Sequence, residues 1–294
     1  MADTLLKNSA AAKQVQRILP GLNLETVSIW ADCAKNVVEV YGRFSYQRLP
    51  DKYKECAVFN AAGDNERFAN FVQRNWPPCG TANSRQHCHD QYHYADVSNV
   101  HIDYQSGYAG TNDHDVVHAI NAAVVYLRHR NTGGPFSFAD EKEALMLLVH
   151  YLGDVHQPMH VVAIYPDQQG NVVNPEGGAY SARNDTGGGN SLHDPATSMS
   201  MHTEWDRIPA EVMPGGAQAG SLLGAARKVA DTMGDSDSWA QRWASESVTY
   251  APLVFRGLTY AAQPASDPGG AASQWNVAGI DDAYTARADA LKGQ

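Results

Sequence analysis

Residues 139–161 read ADEKEALMLLVHYLGDVHQPMHV. The first two-thirds have the apolar spacing and acidic first turn of a helix, with Asp140 placed to cap it and Pro158 ending the pattern. The polar residues inside this helix are misfits. His150 and Asp154 are four apart, so they share one helical face a turn apart. Leu147, Leu148, Val149, Tyr151 and Leu152 surround them, which implies burial. Two unpaired polar groups in such surroundings cost several kcal/mol, whereas a bound cation organises them.

The same spacing recurs in MHTEWD, residues 201–206, which holds His202 and Asp206. Imidazole and carboxylate are ligands that zinc and other borderline divalent ions accept. His160 lies just past Pro158, where a loop can turn it toward the same centre. The alternative is a pair of helix-surface contacts in which each His bonds its own Asp. Two such clamps and His160 together favour the metal reading. His156 is expected to orient a ligand or to pack in the core, not to bind metal.

Helical patterns are expected over 5–19, 24–42, 64–75, 113–129, 139–154, 200–208, 218–233, 237–257 and 281–293. A Pro/Cys/Gly loop follows Trp76, residues 166–200 form a Gly-, Asn- and Ser-rich surface excursion, and 261–274 read as a loop. No alternating strand pattern or repeat stands out. The expected fold is mostly α, a single helical domain over 1–294 with long loops.

With 294 residues the chain can bury a sizeable core. Its 22 basic and 32 acidic side chains give a net charge of −10, which argues against gripping duplex DNA through a broad basic surface. An enzyme that takes a polyanion into a cleft made cationic by metal remains compatible with that charge. No apolar run approaches the roughly 20 residues of a membrane span. The opening MADTLLKNSAAAKQVQRILP has no charged-then-apolar signal pattern. The four cysteines, Cys33, Cys56, Cys79 and Cys88, are spaced unlike a zinc ribbon. They are either buried thiols or one or two disulfides, Cys79–Cys88 foremost, and disulfides would imply an oxidising compartment.

Taken together, HYLGDVHQPMH (150–160), the GGGN loop (187–190) and HTEWD (202–206) resemble the zinc-dependent single-strand-specific nucleases of the S1/P1 type, in the phospholipase C superfamily. SIWADCAK and YHYADV resemble two upstream motifs of that family in the same order, and HDVVHAI a helix between them. The resemblance implies one zinc held by Asp32, His93, His150 and Asp154, and a second by His160, His202 and Asp206. It implies a third that shares Asp154 and is completed by an N-terminal tryptophan and a histidine soon after it. No Trp or His precedes Trp30, and the last family helix is missing, so the chain reads as trimmed at both ends. It departs further by a long insertion between Asp32 and His93 and a lengthened loop between His160 and His202.

For activity, the resemblance implies hydrolysis of single-stranded DNA and RNA to 5′-phosphate products, and of 3′-nucleotides. Asp32 would orient or deprotonate the attacking water and Lys35 contact phosphate. Tyr94 would stack a base, Asp96 accept a hydrogen bond from a base edge, and Asn190 touch substrate near the metals. Such enzymes are secreted or periplasmic, and no membrane or protein partner is implied. A phospholipase C on the same metal scaffold and a zinc-binding protein without catalysis are the competing readings.

Overall fold

The computed structural model describes residues 1–48, 54–76, 88–128, 135–167, 169–177, 184–194, 197–262, 275–281 and 283–292. It is about half helical with a few short strands, as the periodicity predicts. The chain divides into two compact units, Met1–His93 with His114–Asp154, and Tyr94–Asp113 with Val155–Gln294.

In the first unit an aromatic cluster forms the core. Trp30 stacks on Phe68 at 4.9 Å, Tyr46 stacks on Phe68 at 4.6 Å, and Phe71 meets Trp30 edge-on. Phe68 and Phe71 come from the helix Ala62–Arg74. That helix holds the start of the long helix Glu141–His156 through ion pairs: Arg67 bonds both oxygens of Asp140, and Arg74 bonds the buried Glu143. Asp140 caps the Glu143 N–H at 2.8 Å, and Glu143 accepts from the Ala139 N–H, so the expected cap is present. The helix Val116–Leu127 starts on Asp115, whose carboxylate accepts from the N–H groups of Val117 and His118.

Two expected helices break. Residues 5–19 form Ala2–Leu6 and Ala10–Ile18, separated at Asn8 (φ 68°), because Ser9 caps a new start by accepting from Ala12 N–H. Residues 24–42 become the helices Leu24–Val27 and Trp30–Ala34, then a hairpin of Val37–Val40 with Arg43–Tyr46. Three β-branched valines within four residues lose side-chain freedom in a helix. Tyr41 and Gly42, both with positive φ, supply the tight turn that matches strand twist. The Cys33–Cys56 disulfide, with Cα atoms 5.7 Å apart, closes the segment onto this hairpin's flank. It was not singled out from the spacing; Cys79 and the Cys88 side chain lie outside the described residues.

The core of the second unit includes the fully buried run Val161–Tyr165 together with Val97, Leu192, Val248 and Val254, each fully buried. Val97–Ser98 pairs in parallel with Val162–Ala163. The expected helices appear as Met201–Asp206, Ala219–Ala226, Trp239–Thr249, Ala251–Phe255 and Tyr284–Lys292. A three-stranded sheet was not expected: Trp275–Ile280 lies between Leu192–His193 and Leu258–Ala262. Each strand is too short or too interrupted to show alternation alone, and the Leu258–Ala262 pairing carries an irregularity at Thr259/Tyr260. The loop expected at 261–274 starts inside the strand Leu258–Ala262, whose pairing with Trp275–Ile280 extends to Ala262; its remainder, 263–274, and the loop after Trp76, at 77–87, fall outside the described residues.

Because 23 residues separate Cys33 from Cys56, the crosslink should contribute about 3 kcal/mol by restricting the unfolded chain. A Cys33→Ser/Cys56→Ser chain is expected to lose that amount in denaturant titration; an unchanged midpoint would show that the crosslink does not matter to stability.

Candidate metal centres

Among the described residues, each unit contains one cluster of imidazoles and carboxylates that could hold a metal ion. In the first, Trp30–Ala34 brings in Asp32, the segment after Cys88–Gln91 brings in His93, and the long helix brings in His150 and Asp154. Tyr92 anchors the His93 segment by donating its hydroxyl to Asn75 Oδ1 at 3.0 Å. His93 Nδ1 lies 3.0 Å from Asp154 Oδ2 and 4.0 Å from Asp32 Oδ1. His150 Nε2 lies 3.0 Å from His93 Nδ1, 3.2 Å from Asp154 Oδ2 and 3.8 Å from Asp32 Oδ1. The Tyr151 ring walls the site, edge-on to both imidazoles.

The tautomer of His150 follows from its neighbour. Its Nδ1–H donates to the Ser28 carbonyl, which leaves Nε2 as the lone pair turned into the cluster. Burial alone would lower the His150 pKa, but Asp154 and Asp32 outweigh it and lift it to about 9. Burial, with Lys35 and His150 nearby, pushes His93 down to about 4. Burial would raise the Asp32 carboxyl, yet Lys35, His150 and His93 hold it well below the usual range. Two carboxylates, one neutral imidazole and a second imidazole drawn toward positive charge thus converge on one point.

In the second unit, His160 Nε2 lies 3.6 Å from Asp206 Oδ1, and His202 Nε2 lies 3.7 Å from Asp206 Oδ2. The two rings are 4.5 Å apart. Ser200 caps the helix Met201–Asp206, and buried Trp205 anchors it by donating Nε1–H to Tyr284 Oη at 2.8 Å. His160 is fixed through its carbonyl, which accepts from Ala95 N–H. His202 Nδ1–H donates to the Gly188 carbonyl at 2.9 Å, again leaving Nε2 for the cluster. Burial would raise the Asp206 carboxyl, but His160 and His202 keep it below its ordinary value. Gly188 must be glycine: its φ is +55°, and a Cβ there would sit 1.9 Å from the Met159 carbonyl oxygen.

Ligand atoms around a tetrahedral ion at about 2.0 Å stand roughly 3.3 Å apart. The donor separations of the first cluster, 3.0 to 4.0 Å, bracket that spacing, and those of the second, 3.6 and 3.7 Å, lie slightly above it; the donors are the imidazole and carboxylate groups zinc accepts. The residues present fit such an ion.

The other expected residues are placed as follows. Lys35 is partly exposed, and its Nζ lies 2.8 Å from Asp32 Oδ1. Burial opposes its charge, but Asp32 more than restores it and raises its pKa. Tyr94 is half-buried and Asn190 exposed, its Nδ2 donating to the Gly187 carbonyl. Asp96 is buried, with Oδ1 enclosed. His156 is not in the core: it is exposed, 5.8 Å from the Trp243 ring. The orienting carbonyls of Ser28 and Gly188 went unnoticed, as did Gln157, which donates to Asp206 Oδ1 at 2.8 Å. Main-chain acceptors leave no mark on residue identity, whereas Gln157 beside Pro158 was a visible signal.

A sequence model of the family described as S1/P1 Nuclease matches residues 1–287. The chain belongs to the S1/P1 nuclease family. As a member it is a nuclease, a hydrolase of phosphoester bonds in nucleic acid. No curated protein matches it. Among the described residues no helix is long and apolar enough to cross a membrane.

Replacing His150 or His202 with Ala should each remove about one equivalent of bound divalent ion, since the first centre loses one of its two imidazoles and the second falls from three donors to two. Thermal stability should fall with metal content, because binding is coupled to folding. Elemental analysis giving the same zinc content in both variants and the parent would refute the ligand sets.

Proposed function

We propose that this S1/P1 family member is a zinc-dependent endonuclease that cleaves single-stranded DNA and RNA to 5′-phosphate products and also hydrolyses 3′-nucleotides. The observation that carries this reading is a pair of His/carboxylate clusters, each with donors at ion-coordinating separations, in a chain of a nuclease family. Asp32, His93, His150 and Asp154 would hold zinc in the first centre, and His160, His202 and Asp206 in the second. When bound, zinc polarises a phosphoryl oxygen and brings the pKa of water toward about 7. Residues 1–294 acting as one nuclease domain, and export to an oxidising compartment consistent with the Cys33–Cys56 disulfide, belong to the same proposal.

The chain's own side chains have separate tasks. Asp32, held anionic, is a poor proton acceptor and a good hydrogen-bond acceptor, so it orients the attacking water rather than deprotonating it. Lys35, held protonated beside it, offers a point charge to a phosphate oxygen on a molecule whose net charge of −10 would otherwise repel the substrate. The oxygen of water bonds to phosphorus in line with the departing 3′ oxygen, which leaves as a hydroxyl and strands the phosphate on the 5′ side. Tyr94 stacks an unpaired base, and Asn190 supplies an amide to the substrate. A base inside a duplex has no free face to stack, which accounts for single-strand preference.

Assays on single-stranded DNA, RNA, duplex DNA, a 3′-nucleotide and phosphatidylcholine, with and without chelator, test the reading. Chelator-sensitive cleavage of single strands is expected. Turnover of phosphatidylcholine without cleavage of nucleic acid would make it a phospholipase C, and zinc binding without turnover of any substrate a non-catalytic protein. Tyr94→Ala should weaken single-strand binding by roughly 1–3 kcal/mol with zinc content unchanged; a variant that loses zinc or unfolds would make Tyr94 a packing residue instead.

A further inference from the structure

The hairpin of Val37–Val40 with Arg43–Tyr46 has two faces, and the fold uses one of them. Val37, Phe44 and Tyr46 alternate inward, Phe44 edge-on to Trp76 at 5.1 Å and Tyr46 stacked on Phe68. The opposite face carries Val38, Val40, Arg43 and Ser45, all exposed, where a strand bordering water normally sets polar residues. At the tip, Tyr41 is 99% exposed, so its ring packs against nothing in the fold. Its φ of 51° suits Asn or Gly and strains a bulky side chain. The turn is also braced, because the Gly42 N–H donates to the Glu39 carboxylate. A strained, fully exposed aromatic ring is thus held in one place without adding to the core.

We propose that this hairpin is a docking ridge for the unpaired nucleic-acid strand, with Tyr41 stacking a base a few nucleotides from the cleaved phosphate and Arg43 facing the strand's backbone. The proposal rests on the single-strand nuclease reading and adds to it a contact outside the metal centres.

Three observations select a nucleic-acid strand as the occupant. The hairpin starts at Val37, two residues after Lys35 at the end of the helix that carries Asp32, so the ridge is continuous in the chain with the first centre. At about 3.3 Å per strand residue the tip stands about 13 Å from that start, a span that a few nucleotides cover. The charge is complementary as well. Arg43 forms no ion pair among the described residues, and Arg48, at the foot of the hairpin, bonds the neutral Asn60 carbonyl at 2.7 Å. Both keep their charge available on a chain of net −10, while Glu39 is engaged by the turn. The ring supplies the third observation, since stacking on a base needs an open face, tolerates any sequence and gains from a ring held ready.

Fluorescence anisotropy with a long phosphorothioate oligothymidine, compared with a dinucleotide, tests the ridge. Tyr41→Ala should weaken binding of the long strand about five-fold or more, with a smaller loss for the dinucleotide, and Tyr41→Trp should retain it. Arg43→Gln should flatten the slope of log Kd against log salt by about 0.7. Tyr41→Asn gives the turn its favoured Asn-Gly pair, so it should melt about 2 °C above the parent while binding the long strand as weakly as Tyr41→Ala. A melting temperature at or below the parent's would show that Tyr41 serves the fold, and would overturn the proposal. Parental strand binding in Tyr41→Ala would overturn it too, including the case in which that variant instead loses self-association in sedimentation or binding to phosphatidylglycerol vesicles, which assigns the ridge to a second copy or to lipid. A parent that binds neither oligonucleotide would refute the single-strand reading and the ridge with it. A parent that binds both, beside an unaffected Tyr41→Ala, would refute the ridge alone.

Discussion

Negative charge inside apolar surroundings has to be answered by a cation, and the first unit is built around that demand. Asp154 sits on a helix that also buries Leu147, Tyr151 and Val155 almost completely. With Asp32 on one side and imidazoles on the other, the carboxylates can be satisfied by a proton on His150 or by a metal ion. The elements around them exist to hold that arrangement still. Ion pairs from Arg67 and Arg74 set the start of the helix, and a main-chain carbonyl from Ser28 sets the ring that answers the charge. The second centre holds a more exposed carboxylate, Asp206, beside two imidazoles with different parts: a six-residue helix anchored by Trp205, and a glycine loop that supplies the orienting carbonyl.

The long amphipathic segments were readable because burial of one helical face imposes a period that composition cannot hide. Val116–Leu127 and Glu141–His156 lie close to where the apolar spacing puts them, down to the Asp140 cap. The strands were not readable for the opposite reason. Val37–Val40 follows a helix within three residues and is folded back by a two-residue turn, so its valines read as the tail of the helix before it. The sheet strand Leu192–His193 is two residues long and gains its identity only from Trp275–Ile280, some eighty positions away.

The same division runs through the centres. Residues that bear an imidazole or a carboxylate announce themselves, and Asp32, His93, His150, Asp154, His160, His202 and Asp206 were all legible. The groups that aim them were not, because a carbonyl of Ser28 or Gly188 is chemically identical to any other. Asp96 shows the converse limit. Its side chain is conspicuous in the sequence, but its burial, beside a glycine loop ninety residues further on, is not.

The donors of the first centre come from three stretches of chain, and the bond from His150 to Ser28 spans 122 positions. Within it only the pair His150 and Asp154 is local. Loop closure must be completed before the remaining donors meet, which makes the contacts of this centre slow to form relative to the helices that carry them. If the centre takes zinc as proposed, the chain would offer the ion only partial, weak sites until the unit is nearly native. Metal capture would then be a late event that rewards the finished fold and not its precursors, since an ion bound early to a lone helical pair would have little to hold it there.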